Sequence, residues 1–102
     1  MFAVLSLRQL EQMLDRGQTL LLVDLRPGYA YGESHLWGAV NIPYDCLNEE
    51  TLGVYGDLPI VFYCEHGGKS MQAAREFGRR GWRTASVGSG ICYYHGKYLV
   101  SG

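Results

Sequence analysis

Blocks of apolar and polar residues alternate along the chain and predict helices and strands in turn. Ser6 and Gln9 have the spacing of a capping box, and leucines recur at helical spacing from there until Gly17, so we predict a helix between these points. The runs over 19–25 and 59–64 are almost continuously aliphatic or aromatic, as expected of strands buried on both faces of a parallel sheet.

Shorter segments continue this alternation, although residues 45–55 give no clear pattern. We predict a helical turn within 29–34, a strand over 38–43, a helix from Ser70 to Gly81, a strand over 84–87 and a short helix from Ile91 onward. This order predicts one α/β domain over residues 1–102. Its sheet should be mostly parallel, with the ligand site beyond the carboxyl ends of the strands.

Composition and charge exclude several classes of protein. A chain of 102 residues that is 47% hydrophobic suits one core, without need of a disulfide or a structural metal. A formal charge of −1 argues against binding to nucleic acid or to an anionic membrane surface. The first apolar run has no basic residue before it, and no later run approaches the ~18 residues that span a bilayer. We therefore expect a soluble, cytoplasmic protein.

The three cysteines are an odd set without a Cys-x-x-Cys motif: Cys46, Cys64 and Cys92. They cannot all pair with one another, and they lack the spacing of a zinc site. Without an export signal, we expect them to be reduced thiols. Cys46 and Cys92 are interpreted as packing residues or as thiols without a role in the chemistry.

Cys64 ends the most apolar predicted strand and opens a short loop that leads into a helix. The loop consists of Glu65, His66, Gly67, Gly68 and Lys69. Adjacent glycines allow backbone N–H groups to turn inward around an anion, and the helix adds the positive end of its dipole. These groups and the Lys69 cation favour a thiolate, which predicts nucleophilic attack by sulfur. A cysteine at a strand end is by itself more often a buried apolar residue, but packing does not explain the Gly-Gly-Lys-Ser sequence that follows.

Three other segments join this loop in matching a known family. Residues 23–26 read Val-Asp-Leu-Arg, residues 31–43 read Tyr-Gly-Glu-Ser-His-Leu-Trp-Gly-Ala-Val-Asn-Ile-Pro, and residues 88–91 read Gly-Ser-Gly-Ile. With the loop over 64–69, they resemble a single-domain rhodanese, a small α/β sulfurtransferase, along the whole chain. The resemblance implies a five-stranded, mostly parallel sheet with helices on both faces.

The same resemblance implies a site and a reaction. Cys64 would be the catalytic residue, taking a sulfane sulfur from thiosulfate or a persulfide and passing it to a thiol or another nucleophile. The loop from Glu65 to Lys69 would bind the substrate, Asp24 and Arg26 would pair to hold neighbouring loops, and no metal or organic cofactor is implied. The expected partners are a small sulfur donor and a thiol acceptor, or a protein sulfur carrier. We interpret His35 as a scaffold residue.

Two loop residues depart from the family pattern. Lys69 stands where many members have Arg, which replaces a planar fork by a compact ammonium. Glu65 places a negative charge beside the nucleophile, where it is expected to repel thiosulfate and to oppose ionisation of the thiol. We therefore favour a neutral or protein-bound sulfur donor.

Other functions of a cysteine loop fit less well. A cysteine phosphatase or arsenate reductase needs an arginine six positions after its cysteine to clamp a tetrahedral anion, and this chain has Ser70 there. A nucleotide-binding P-loop would need its first glycine at the position of Tyr63. A non-catalytic sulfur carrier or docking module of the same fold is the open alternative.

Overall fold

The computed structural model describes residues 2–102, and within them the chain forms strands and helices in alternating order. The strands are β1 (Phe2–Leu5), β2 (Leu21–Asp24), β3 (Ser34–Leu36), β4 (Val40–Asn41), β5 (Ile60–Tyr63), β6 (Thr84–Val87) and β7 (Leu99–Ser101). The helices are α1 (Leu7–Asp15), α2 (Gly28–Glu33), α3 (Glu49–Gly53) and α4 (Gly68–Arg79), with a 3-10 turn at Tyr44–Cys46. Within the described range, no helix is long and apolar enough to cross a membrane.

Five strands form the main sheet in the order β1-β6-β5-β2-β4, and every neighbouring pair is parallel. This confirms the predicted α/β fold class. Strand β5 is central, with Tyr63 beside Asp24 of β2 and Phe62 beside Ser86 of β6. Because all five strands run the same way, the residues that follow β2, β5 and β6 meet at one edge of the sheet.

The sheet separates two apolar layers, as the alternation of side chains along a strand requires. Phe62 of β5 faces one layer, where it packs with Ala74 and Phe77 of α4 and with Leu52 of α3. Val61 faces the other layer, which contains α1 and the C-terminal segment. Helices therefore cover both faces, as predicted.

The capping box of α1 forms as the sequence indicated. The Ser6 hydroxyl accepts a hydrogen bond from the Gln9 N–H at 3.0 Å, and the Gln9 side chain accepts one from the Ser6 N–H at 2.8 Å. The helix ends at Asp15, and Gly17 follows with φ of 67°. Helix α4 begins at Gly68, two residues before the predicted start.

The prediction of a short helix from Ile91 onward is wrong. This segment consists of turns that end in β7, which pairs antiparallel with β3, a strand that the sequence did not indicate. Two tyrosine hydroxyls hold the segment against α1: Tyr94 donates to Glu11 and Tyr98 donates to Asp15, each at 2.5 Å. These long-range contacts and the pairing with β3 position the segment, and the sequence pattern from Ile91 onward does not reveal them.

Candidate active site

Cys64 lies at the carboxyl edge of the sheet, directly after the central strand. Strand β5 ends at Tyr63 and α4 begins at Gly68, so the loop between them is short. The Cys64 residue is only 5% exposed. Its sulfur is therefore held between the end of a buried strand and the start of a helix.

Main-chain N–H groups point at this sulfur. The Gly67 N–H donates to Cys64 Sγ at 3.1 Å, and the Ser70 N–H donates to it at 3.4 Å. Both groups are among those that a helix start leaves without carbonyl partners, and α4 is 12 residues long, so its positive end faces the same point. Backbone N–H groups therefore turn inward around the sulfur, which is the geometry that the two glycines indicated.

A second backbone segment supports the loop from behind. The Ile91 N–H donates to the Cys64 carbonyl at 3.1 Å, and the Cys92 N–H donates to the Glu65 carbonyl at 3.0 Å. The last residue of the Gly-Ser-Gly-Ile turn and the residue after it therefore fix the main chain at Cys64 and Glu65. Sequence reasoning identified this turn without relating it to the loop.

Glycines permit this close approach of two backbones. Gly67 has φ of 98°, and a Cβ there would lie 2.0 Å from the Gly88 carbonyl oxygen. Gly90 has φ of 70°, and a Cβ there would lie 2.2 Å from the Glu65 carbonyl oxygen. Neither position has room for a side chain, and both need a backbone conformation that L-residues avoid.

A cleft of about 330 Å³ opens in front of the sulfur. Its lining residues are Leu25, Arg26, Pro27, Cys64, Glu65, His66, Gly68 and Lys69. Five of the six residues predicted for the site are among them. The sixth, Gly67, is buried and reaches the sulfur through its N–H.

Sequence reasoning did not place residues 25–27 in the site. They follow β2, the neighbour of β5, so the parallel register brings them to the same edge of the sheet. The only sequence signal for them was that both runs, 19–25 and 59–64, were predicted as strands of one parallel sheet, whose following loops lie at the same edge.

Arg26 is buried and makes the densest set of polar contacts near the cleft. Its Nε lies 3.1 Å from both carboxylate oxygens of Asp24, and its Nη2 donates to Asp24 at 2.8 Å and to the Ser34 carbonyl at 2.6 Å. The predicted pairing with Asp24 is confirmed. Since Asp24 is fully buried, the two charges compensate one another.

The remaining guanidinium nitrogen of Arg26 faces Glu65. Nη1 lies 3.5 Å from Glu65 Oε1, and the Glu65 side chain is 47% exposed. Glu65 thus lines the cleft beside the nucleophile and is only partly offset by a cation that Asp24 already neutralises.

Lys69 and His66 are exposed and also line the cleft. The Lys69 ammonium lies 5.6 Å from the centre of the Tyr44 ring. Within residues 2–102 it has no carboxylate at ion-pair distance. Its charge is therefore available to a ligand.

Two aromatic contacts support this edge of the sheet. The hydroxyl of Tyr63 accepts the Leu36 N–H at 3.1 Å, and burial, with the charge of Asp24, raises the pKa of Tyr63 far above its ordinary value. The His35 ring stacks on Tyr31 at 3.9 Å, and its Nδ1 lies 2.9 Å from the Tyr31 carbonyl oxygen. These contacts agree with the scaffold role expected for His35.

The other cysteines lie outside the cleft. All three are free thiols, with Cys46 exposed and Cys92 half-buried. Across residues 2–102, no three His, Cys, Asp or Glu side chains gather into a group that could hold a metal ion.

A cysteine surrounded by main-chain N–H groups, between the central strand of a parallel sheet and the start of a helix, defines a class of α/β protein with a cysteine-loop site. The chain belongs to the rhodanese-like domain family, whose model matches residues 6–98.

Individual relatives agree with this assignment. The chain is 32% identical over 100 residues to a protein of Shewanella oneidensis named thiosulfate sulfurtransferase GlpE, covering 92% of this chain and 93% of that one. It is 25% identical over 93 residues to a putative sulfurtransferase YtwF of Bacillus subtilis, covering 91% and 90%. The crystal structure of a rhodanese-related protein from Thermoplasma volcanium superposes with a TM-score of 0.84 at 19% identity, covering 99% and 100% of the two chains.

The two adjacent glycines of the loop should respond differently to alanine. Gly67→Ala should lower the free energy of unfolding by more than about 2 kcal/mol, because it combines a positive φ with a backbone clash. Gly68→Ala meets nothing within 4 Å and should change it by less than about 1 kcal/mol. Denaturant unfolding of both variants measures this, and equal losses would contradict the described loop conformation.

Proposed function

We propose that this protein is a sulfurtransferase in which Cys64 carries the transferred sulfur as a persulfide. The observation that supports this most is the position of the sulfur: two N–H groups donate to it, and it lines an open cleft. A thiolate so placed attacks without a neighbouring general base, because the backbone supplies the stabilisation.

In the first step, the Cys64 thiolate attacks the outer sulfur of the donor. A new S–S bond forms at Cys64 while the donor's S–S bond breaks, and its electron pair leaves on sulfite when the donor is thiosulfate, or on a thiolate when the donor is a persulfide. No electrons are gained or lost overall. The N–H groups of Gly67 and Ser70, which hold the thiolate before the step, then face the persulfide.

In the second step, a nucleophilic acceptor such as a thiolate attacks the outer sulfur of the Cys64 persulfide. The bond between the two sulfurs breaks, and its electron pair returns to Cys64 as a thiolate. The leaving group is thus the same anion that the loop stabilises. The loop therefore assists both half-reactions at one atom.

Charges around the cleft favour a donor of low charge. Thiosulfate carries two negative charges and would approach Lys69, but it would also face Glu65, whose carboxylate is half exposed and only partly offset by Arg26. A persulfide with an uncharged organic group avoids most of this repulsion. We propose such a donor, either a small molecule or a persulfide presented by a protein.

Incubation with a sulfane-sulfur donor should add the mass of one sulfur atom to the intact protein. Peptide mapping should place it on Cys64, and Cys64→Ser should abolish it, whereas Cys46→Ser and Cys92→Ser should retain it. Repeated turnover with a small thiol acceptor separates a catalyst from a stoichiometric carrier. Sulfur found on Cys46 or Cys92 in the protein without substitutions would contradict the proposal.

Glu65→Gln should raise the rate of sulfur transfer from thiosulfate about three- to tenfold and change the rate with a persulfide of uncharged organic group by less than about twofold. The reason is the loss of one negative charge from the cleft wall. Glu50→Gln, which removes the same charge from an exposed position outside the cleft, should alter neither rate. Equal acceleration with both donors would show that repulsion by Glu65 does not select the donor.

A further inference from the structure

Two serine hydroxyls lie beneath the Cys64 sulfur, and the reaction described above does not use them. Ser70 in the first turn of α4 and Ser86 on β6 are both fully buried. Their Oγ atoms are 2.7 Å apart. Ser70 Oγ is also 3.6 Å from Cys64 Sγ and 3.1 Å from the Gly67 carbonyl oxygen.

The hydroxyls of Ser86 and Ser70 and the Cys64 sulfur form a chain of hydrogen bonds. The number of protons in it fixes which group donates to which. Within residues 2–102, the Ser70 hydroxyl is the only hydrogen-bond partner of the Ser86 hydroxyl, from side chains or main chain. If Ser70 donated to Ser86, the Ser86 proton would be buried without an acceptor, which is unfavourable. Ser86 therefore donates to Ser70.

The Ser70 proton then has two acceptors to choose between. When Cys64 is a thiol, its S–H donates to Ser70 Oγ, and the Ser70 hydroxyl donates to the Gly67 carbonyl. When Cys64 is a thiolate, the Ser70 hydroxyl can turn to the sulfur and donate a charge-assisted hydrogen bond. A hydroxyl that accepts from Ser86 is the stronger donor, because hydrogen bonds in a chain polarise one another.

We propose that Ser86 is a positioning residue for sulfur transfer, which acts through Ser70 to support the thiolate of Cys64. The proposal rests on the proposed function of Cys64. It extends the site from the loop to a buried residue of β6 that does not line the cleft. Ser86 does not touch the reacting atoms, so its effect must pass through the Ser70 hydroxyl.

Strand β6 also contains a matched control for a purely structural role. Thr84 lies two residues earlier, on the same face of the strand. Its buried hydroxyl donates to the Ala74 carbonyl at 2.7 Å and so also joins β6 to α4. Thr84→Val removes this hydroxyl and keeps the shape of the side chain. It leaves the hydrogen bonds from Ser86 through Ser70 to Cys64 unchanged.

The test compares the reactivity of Cys64 in Ser86→Ala, Thr84→Val, Ser70→Ala and the Ser70→Ala/Ser86→Ala double variant. The rate of alkylation by iodoacetamide and the rate of persulfide formation are followed at Cys64 by peptide mass spectrometry over a range of pH. Thermal unfolding records the stability of each variant.

Ser86→Ala should slow both reactions about three- to tenfold at neutral pH and move the reactive range of Cys64 to higher pH. Thr84→Val should lower the unfolding temperature and leave both rates unchanged. In the Ser70→Ala background, removing the Ser86 hydroxyl should have no further effect on either rate, because Ser86 no longer has a hydrogen-bonded hydroxyl between it and Cys64.

Unchanged Cys64 reactivity in Ser86→Ala would overturn the proposal, as would an equal effect of Thr84→Val or an undiminished effect of Ser86→Ala without the Ser70 hydroxyl. Failure of the proposed function gives a different result: in the protein without substitutions, Cys64 is alkylated but takes up sulfur from none of the donors. The two failures are therefore distinguishable.

Discussion

The chemistry proposed for this fold depends on main-chain N–H groups that point toward the sulfur of Cys64. Gly67 makes that turn with a positive φ, and the turn is held because the backbone around Gly88 and Gly90 packs directly against the loop. Two hydrogen bonds, from Ile91 and Cys92, close the contact. A side chain at Gly67 or at Gly90 would push the two segments apart and release the N–H groups from the sulfur.

The charged side chains near this sulfur form a buried pair and an exposed pair. The buried pair is Asp24 and Arg26, which together are nearly neutral and fix the side of the cleft that follows β2. The exposed pair is Glu65 and Lys69, which carry opposite charges. In the proposed reaction, the main-chain N–H groups stabilise the sulfur, while Glu65 and Lys69 act on the approaching donor. Under this proposal, stabilisation of the sulfur and choice of donor depend on different groups.

The fold class was predictable from the sequence because the central strands are apolar and alternate with helix signals, although residues 45–55, which contain α3, gave no clear pattern. The capping box at Ser6 and Gln9 and the buried run that ends at Cys64 both indicated the observed elements. The C-terminal segment was not predictable in this way. Tyr94 and Tyr98 are fixed by carboxylates of α1 that are far away in sequence, and no local pattern reports such contacts.

The site was predictable only where it is local. Cys64 and the five residues after it lie together in the sequence, so their spacing indicated their chemistry. Arg26 and Ser86 reach the same edge of the sheet through the strand order, β2 and β6 on either side of β5. Their contributions become visible only when the register of neighbouring strands is known.

Competition between two thiols of this chain for one alkylating reagent tests the central claim most directly. Cys46 is exposed and Cys64 is only 5% exposed. With iodoacetamide limiting at neutral pH, the proposed function predicts preferential labelling of the buried Cys64, because a thiolate stabilised by backbone N–H groups reacts faster than a thiol. Preferential labelling of Cys46, with Cys64 unreactive until well above neutral pH, would contradict a stabilised thiolate and with it the proposed sulfur transfer.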